Sequence, residues 1–282
     1  MTIDPFRIVF ISLASSIILI FGFLFYLFIY PKKPIKLPIV LVLISILPTL
    51  SIFRPGVYES GDFNIHIYRI IEFYRSLQEG NIIPSWAGDL NASYGYPLFI
   101  FNYPLPYYVV SIFHFLGFSF ITSMKLFLAS SFIASGLFMY LCVKQMTKNN
   151  FAAFTAAIFY QFAPYHLIDL NFKVVIGELM IFMLLPLTFY CLQKLWAKNN
   201  IVWICLSSIS IAFLILSHVV LAFFVLIIFF SYAVYLSLLK KNPTLIWKLI
   251  ITYILGAITT CFNWLAPFLF SQHTIIQKTS VN

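Results

Sequence analysis

Eight apolar runs, at 6–30, 35–53, 120–143, 151–167, 177–195, 201–217, 219–239 and 247–270, divide this chain. Each is close to the roughly 20 residues that cross the hydrocarbon core of a bilayer as a helix. Lipid offers the backbone no hydrogen-bond partners, so runs of this kind are expected to satisfy their own N–H and C=O groups as α-helices. The predicted architecture is therefore all-α, a polytopic membrane helix bundle of about eight spans, forming a single transmembrane domain over 1–282. Only 9% of the residues are charged, against about 25% in soluble domains, which excludes a soluble fold. The first run is too long for a removed signal peptide, and no small-x-small cleavage pattern follows Tyr30.

Between the runs lie short basic clusters: Lys32, Lys33 and Lys36; Lys144 and Lys148; Lys194 and Lys198; Lys240, Lys241 and Lys248. An even number of crossings separates each from the next, so the positive-inside rule puts all four in the cytoplasm and the amino terminus outside. This holds provided that 105–118, apolar but short, is a re-entrant or interfacial segment; a full crossing would invert everything after it. The same placement sends the acids to the outer side: Asp4, then Glu59, Asp62, Glu72, Glu79 and Asp89 in the loop 54–104, then Asp169 and Glu178. His66, His114, His166, His218 and His273 follow them. Short outer loops tolerate acids, which covers Glu79 and Asp89; Asp169, Glu178 and His218 sit at span ends, where an ionisable group marks a functional site.

The net charge of +9 comes from the topology clusters, without the aromatic–basic interleaving that binds a phosphate backbone, so no nucleic acid is expected. Cys142, Cys191, Cys205 and Cys261 all fall in apolar runs without a CxxC spacing, which predicts neither a disulfide nor a cysteine-bound metal.

The outer loop 54–104 carries an amphipathic, interfacial helix over 61–79. Ser60 can cap its start, Gly80 stops it, and Phe63, Ile67, Ile70, Ile71 and Tyr74 form its apolar stripe. Asp62, His66 and Arg69 stand at i, i+4 and i+7 and are expected on the other face. A carboxylate, an imidazole and a guanidinium on one face suit a phosphate or pyrophosphate with a divalent cation, Asp supplying a hard oxygen and Arg a bidentate clamp. There is also a plain structural reading: an acid in the first turn favours the helix dipole, and His and Arg on an interfacial helix meet a neighbouring carboxylate or lipid headgroups. The rest of the loop is dense in Gly, Pro, Tyr and Trp and reads as turn-rich.

A second cluster follows the fourth run, in Phe162-Ala163-Pro164-Tyr165-His166-Leu167-Ile168-Asp169, then Lys173 and Gly177-Glu178. Two carboxylates beside a helix start can supply further metal ligands. Alternatively Asp169 pairs with Lys173 four residues on, and Glu178 satisfies the first turn of its helix. His218 reads as a buried, hydrogen-bonded turn residue.

Gly61-Asp62, His66 and Arg69, with Pro84-Ser85-Trp86, Gly95-Tyr96-Pro97-Leu98-Phe99, Tyr103-Pro104-Leu105-Pro106-Tyr107-Tyr108, Ala163-Pro164-Tyr165 and Gly177-Glu178, resemble the bacterial membrane-protein family labelled 6-pyruvoyl-tetrahydropterin synthase-related, over about 55–267. Nothing here resembles the soluble zinc enzyme of that name. More distantly the layout is similar to the GT-C superfamily of glycosyltransferases. That resemblance implies a catalytic acid at Asp62, acting as metal ligand or base, and a second acidic motif at Glu178 and Asp169 completing a divalent-cation site for Mg or Mn. His66 and Arg69 would then bind the donor phosphate. Members of these families are generally longer, so the chain reads as an amino-terminal module, a truncated product or half of a split system.

The expected function is a GT-C-like membrane glycosyltransferase, or its membrane module. It would act in the bacterial cytoplasmic membrane with its active face outward, moving a sugar from a polyprenyl-phosphate donor to an unknown acceptor. The rival is a non-catalytic polytopic protein: an assembly subunit, a transporter fragment or an inactive truncated paralogue. An ion-coupled transporter is disfavoured, because no Asp, Glu or Arg lies deep in a span.

Overall fold

The computed structural model describes residues 5–30, 36–198 and 200–271. Asp4, Lys32, Lys33 and His273 lie outside the described residues. Twelve α-helices are described: α1 Pro5–Ile29, α2 Leu37–Leu50, α3 Phe63–Gln78, α4 Leu105–Phe115, α5 Phe120–Thr147, α6 Asn150–Gln161, α7 Pro164–Ile168, α8 Ile176–Ala197, α9 Ile201–Ser217, α10 Val219–Lys240, α11 Thr244–Thr259 and α12 Cys261–Phe270. Among the described residues there is no β-strand, only an isolated antiparallel bridge between Ala87 and Tyr96. The all-α bundle is thus observed.

Side-chain caps set several helix starts. Ser119 Oγ accepts from Thr122 N–H, Asn149 Oδ1 from Phe151 and Ala152, Asn200 Oδ1 from Val202, and His218 Nδ1 from Leu221, each pairing amides that the helix itself leaves free. By length and apolar composition, four described helices are able to cross a bilayer: Phe6–Ile29, Phe120–Thr147, Ile176–Ala197 and Val219–Lys240. A fifth crossing is available if α11 and α12, bent by 69° at Thr260, act as one broken span. Helix covers most of each of the other three predicted runs, but in shorter pieces; the run at 151–167 breaks ahead of Pro164, whose ring disfavours helix at the residue before it.

At the centre α5 packs on α6 and α8; α9 covers α8, α11 covers α9, α2 flanks α5 and α6, and α1 packs on α2. Gln161 knots three helices together: its Oε1 accepts from Ser45 Oγ at 2.8 Å and its Nε2 donates to the Phe132 carbonyl at 2.9 Å. Buried amides are stable in such an interior only when paired this way.

The two ends of the bundle differ. Lys144, Lys148, Lys194, Lys198, Lys240, Lys241 and Lys248 sit at the ends of α5, α8 and α10 and at the start of α11, all at one end. The loop 54–104, the π-helical turn Asp169–Lys173 and the α9–α10 turn gather at the opposite end. There α4, 11 residues and about 16 Å long, starts beside the head of α8 and finishes beside the head of α5, where His114 stacks on Phe120.

Candidate functional site

The helix expected over 61–79 is α3, Phe63–Gln78, with Ser60 Oγ accepting from Phe63 N–H at 3.3 Å. Its buried line is Phe63, His66, Ile70 and Phe73, while Ile67, Ile71 and Tyr74 are only partly covered. His66 therefore stands inside the apolar stripe instead of across the helix from it. The cause is α4: Tyr107 packs its ring on Phe73 at 5.5 Å and on His66 at 5.9 Å, drawing that side of α3 inward. Asp62 and Arg69, one turn either way, remain partly exposed.

Two backbone hydrogen bonds join this helix start to the second acidic segment. Gly61 N–H donates to the Phe172 carbonyl at 2.7 Å and Asp62 N–H to that of Lys173 at 2.9 Å. A side chain on Gly61 would put its Cβ 3.1 Å from the Lys173 carbonyl, so the close approach relies on the missing side chain. Asp62, Asp169 and Glu178, more than 100 positions apart in part, thereby share one neighbourhood, near enough for the Asp62 and Glu178 charges to act on Asp169.

The second segment is irregular. Asp169–Lys173 forms a π-helical turn that ends in Val174 at φ 61°, an outlier for a β-branched residue. Asp169, with 0% of its surface exposed, holds this turn: its carbonyl accepts from Val174 N–H at 2.8 Å and its Oδ1 from Val175 N–H at 2.9 Å. Burial pushes the Asp169 carboxyl up to about 7, against the pull of the Val175 amide. The expected Asp169–Lys173 pair is not formed. Lys173 Nζ instead meets Glu178 at 3.3 Å and the Tyr165 hydroxyl at 2.7 Å, and Tyr165 also donates to Glu178.

Tyr103 and Tyr107 wall the site, their rings stacked 6.1 Å apart. Tyr107 Oη accepts from Asn102 Nδ2 at 3.1 Å, which leaves its proton for His66 Nδ1, also at 3.1 Å. Tyr103 packs at the head of α8, where a Cβ on Gly177 would stand 3.0 Å from its ring and 2.7 Å from the Ser217 carbonyl. Its other side lies over His218 at 5.6 Å. His218 is a half-buried turn residue that caps α10, much as the sequence implies.

His66 is 1% exposed, and burial, reinforced by Arg69, pushes its imidazole down to about 3. A sealed, neutral ring gives an anion no charge and no access, so in this arrangement His66 positions Tyr107; the direct phosphate contact expected of it is not available. Arg69 does have access. With Ile65, Tyr68, Leu90, Asn91 and Tyr96 it lines a cleft of about 580 Å³ between α3 and the loop. The far lip is a left-handed turn, Asn91, Ala92 and Ser93 at φ 58°, 54° and 66°.

For a divalent cation the fit is incomplete. Among the described residues Asp169 Oδ2 is a buried oxygen without a partner, but Glu178 is already engaged, and no three His, Cys, Asp or Glu side chains converge on one point. Tyr103, Tyr107, Asn102 and Asn263 were not singled out by sequence as site residues; the first two carried a signal, standing four apart in a Pro-rich aromatic run.

Residues 99–282 match the sequence model of a family described as 6-pyruvoyl-tetrahydropterin synthase related domain, membrane protein. The chain belongs to this family. Both tyrosines, Asn102, Asp169, Glu178, His218 and Asn263 lie within the matched family region, while Asp62, His66 and Arg69 precede it. A relative from Lactococcus lactis subsp. cremoris (strain MG1363), bearing the name "Uncharacterized protein", is 24% identical over 217 residues, covering 76% of this chain and 35% of its own length. The chain thus spans about a third of the curated relative it matches. No solved structure matches. The family and the helical bundle together make this a multi-pass membrane protein.

Proposed function

We propose that this membrane protein is a GT-C-like glycosyltransferase, or the membrane module of one, using a polyprenyl-phosphate-linked sugar on the outer face of the bacterial cytoplasmic membrane. The observation that carries the reading is the coupling of Gly61-Asp62 to Phe172-Lys173. It sets a first-loop acid, a second acidic segment and an accessible arginine around one aromatic wall at the acidic end of the bundle.

In this reading Asp62 accepts the proton of the acceptor hydroxyl as that oxygen bonds to the sugar C1. The C1–O bond to the donor phosphate breaks, its electron pair leaves with the polyprenyl phosphate, and Arg69 stabilises that anion. His66 holds Tyr107, and Asp169 holds the turn that presents Glu178. No step is routed through a metal.

The test is transfer from a radiolabelled polyprenyl-phosphate sugar by membranes bearing Asp62→Asn. Loss of about a hundredfold or more is expected of a removed general base, with unchanged expression and unfolding midpoint. Full activity in that variant would refute Asp62 as the base, and no transfer by the unaltered protein would favour the non-catalytic rival, an assembly subunit or inactive paralogue. That rival draws on Glu178 already being paired with Lys173 and hydrogen-bonded by Tyr165.

A further inference from the structure

On the far side of the tyrosine wall from Arg69 lies a second, smaller cleft of about 230 Å³. Its walls come from three separate places: Asn102 and Tyr103 in the loop, His218 and Val219 at the start of α10, and Asn263 in α12. The volume holds one small polar molecule, several times the ~30 Å³ that a water occupies in the liquid.

Asn263 is the decisive residue. It is 6% exposed, and it sits one turn past the 69° break between α11 and α12. Its Nδ2 donates to the Asn102 carbonyl at 3.2 Å, and because a carbonyl accepts only, that contact fixes which way the amide points. Asn263 Oδ1 is then a buried acceptor with no partner among the described residues, which costs free energy unless something fills the demand.

The opposite wall supplies a donor. His218 Nδ1 accepts from Leu221 N–H at 3.3 Å, so in the neutral ring the proton is on Nε2. The first turn of α10, including the Val219 and Val220 amides, adds the positive end of a 22-residue helix. Among the described residues no Lys, Arg, Asp or Glu lines the cleft, so neither an anion nor a cation finds a charged partner among them. A lining that holds an unpartnered acceptor on Asn263 and a ring donor on His218, beside the Tyr103 ring, matches a neutral hydroxyl, which donates and accepts at once.

We infer that this cleft binds a neutral, hydroxyl-bearing ligand such as a sugar ring, with Asn263 Oδ1 accepting and His218 Nε2 donating. Resting on the transfer reading, it is the acceptor side of the site, with Tyr103 as the partition between it and Arg69.

The experiment is saturation-transfer NMR on the protein in lipid nanodiscs, with methyl β-D-glucopyranoside and methyl α-D-mannopyranoside as probes and tetrahydropyran as the ring without hydroxyls. Saturation of at least one glycoside and little of tetrahydropyran is expected, weakened about tenfold by Asn263→Leu. If that variant fails to fold, His218→Asn retains a capping side chain and removes the Nε2 donor; it should weaken the signal similarly. Absence of saturation from both glycosides, equal saturation in the folded variants, or displacement by inorganic phosphate would overturn the inference. A transfer assay on the unaltered protein separates the two claims. Glycoside binding that depends on Asn263, in a protein that transfers no sugar, keeps the cleft and sinks the transfer reading.

Discussion

The acidic end of the bundle and the lysine end are built by different rules. At the acidic end, polar groups pair across long sequence separations: Ser51 Oγ with Asn171 Oδ1 at 2.8 Å, Tyr58 Oη with the Leu170 carbonyl at 3.1 Å, and Lys125 Nζ with the carbonyls of Arg54 and Gly56. At the lysine end the hydrogen bonds are chiefly local caps, such as Asn149 and Asn242, each to residues two or three ahead. All three ion pairs found among the described residues, Arg75–Glu72, Arg75–Asp89 and Lys173–Glu178, are at the acidic end. The lysine end only has to stop helices and stay wet. The acidic end holds a fixed arrangement of polar groups, and its π-helical turn persists with Leu170 and Asn171 tied to Tyr58 and Ser51.

The largest effect that can break this contrast is one of sidedness. In a background with the four native cysteines replaced, Ser93→Cys should react with a membrane-impermeant thiol reagent in intact cells, and Lys198→Cys only after permeabilisation. Both positions are exposed. The reverse pattern would put the acidic end in the cytoplasm and remove the lipid-linked donor from the proposed mechanism.

Which residues go to which end was legible in the sequence, because apolar runs and lysine clusters report lipid and topology directly. The existence of α3 was legible too, from its stripe. Its rotation was not: His66 counts as polar in a periodicity reading, yet an imidazole bonded to Tyr107 buries as readily as a hydrophobe. The Asp169–Lys173 pairing failed for a geometric reason. A spacing of four aligns side chains on an α-helix, and the π-helical turn carries an i→i+5 ladder, which moves Lys173 off that line and toward Glu178. Asn263 gave no signal at all, since it lies inside an apolar run and acquires its meaning only from the bend before it.

A smaller effect sharpens the contrast through pH. The Asp169 carboxyl is raised by burial to about 7, above the ordinary carboxylate value near 4. The folded chain therefore keeps a proton there that the unfolded chain has released. The stabilisation is complete below about pH 4 and is lost as pH rises through about 7. Hydrogen-exchange protection at Val174 and Val175, corrected for the intrinsic rate, should fall over that window. Asp169→Asn keeps an acceptor for the Val175 amide and should flatten the profile. An unchanged profile would mean that the pH dependence does not come from Asp169.

The smallest effect compares two left-handed residues, one at each end. Lys148 at φ 57° is the exposed C-cap of α5, and Val174 at φ 61° is fully buried. Glycine relieves a left-handed side chain by about 1–2 kcal/mol, and its freer unfolded state takes back about 0.5–1. For Lys148→Gly nothing else is lost, so equilibrium unfolding should show a gain of up to about 1.5 kcal/mol. Val174→Gly forfeits in addition the burial of an isopropyl group, about 1.5–3 kcal/mol, and the sum turns into a loss of about 1–2 kcal/mol. A gain in both variants would show that the packing around Val174 contributes little. The acidic end would then be held by its hydrogen bonds alone, and the difference between the ends would be one of polarity and not of packing.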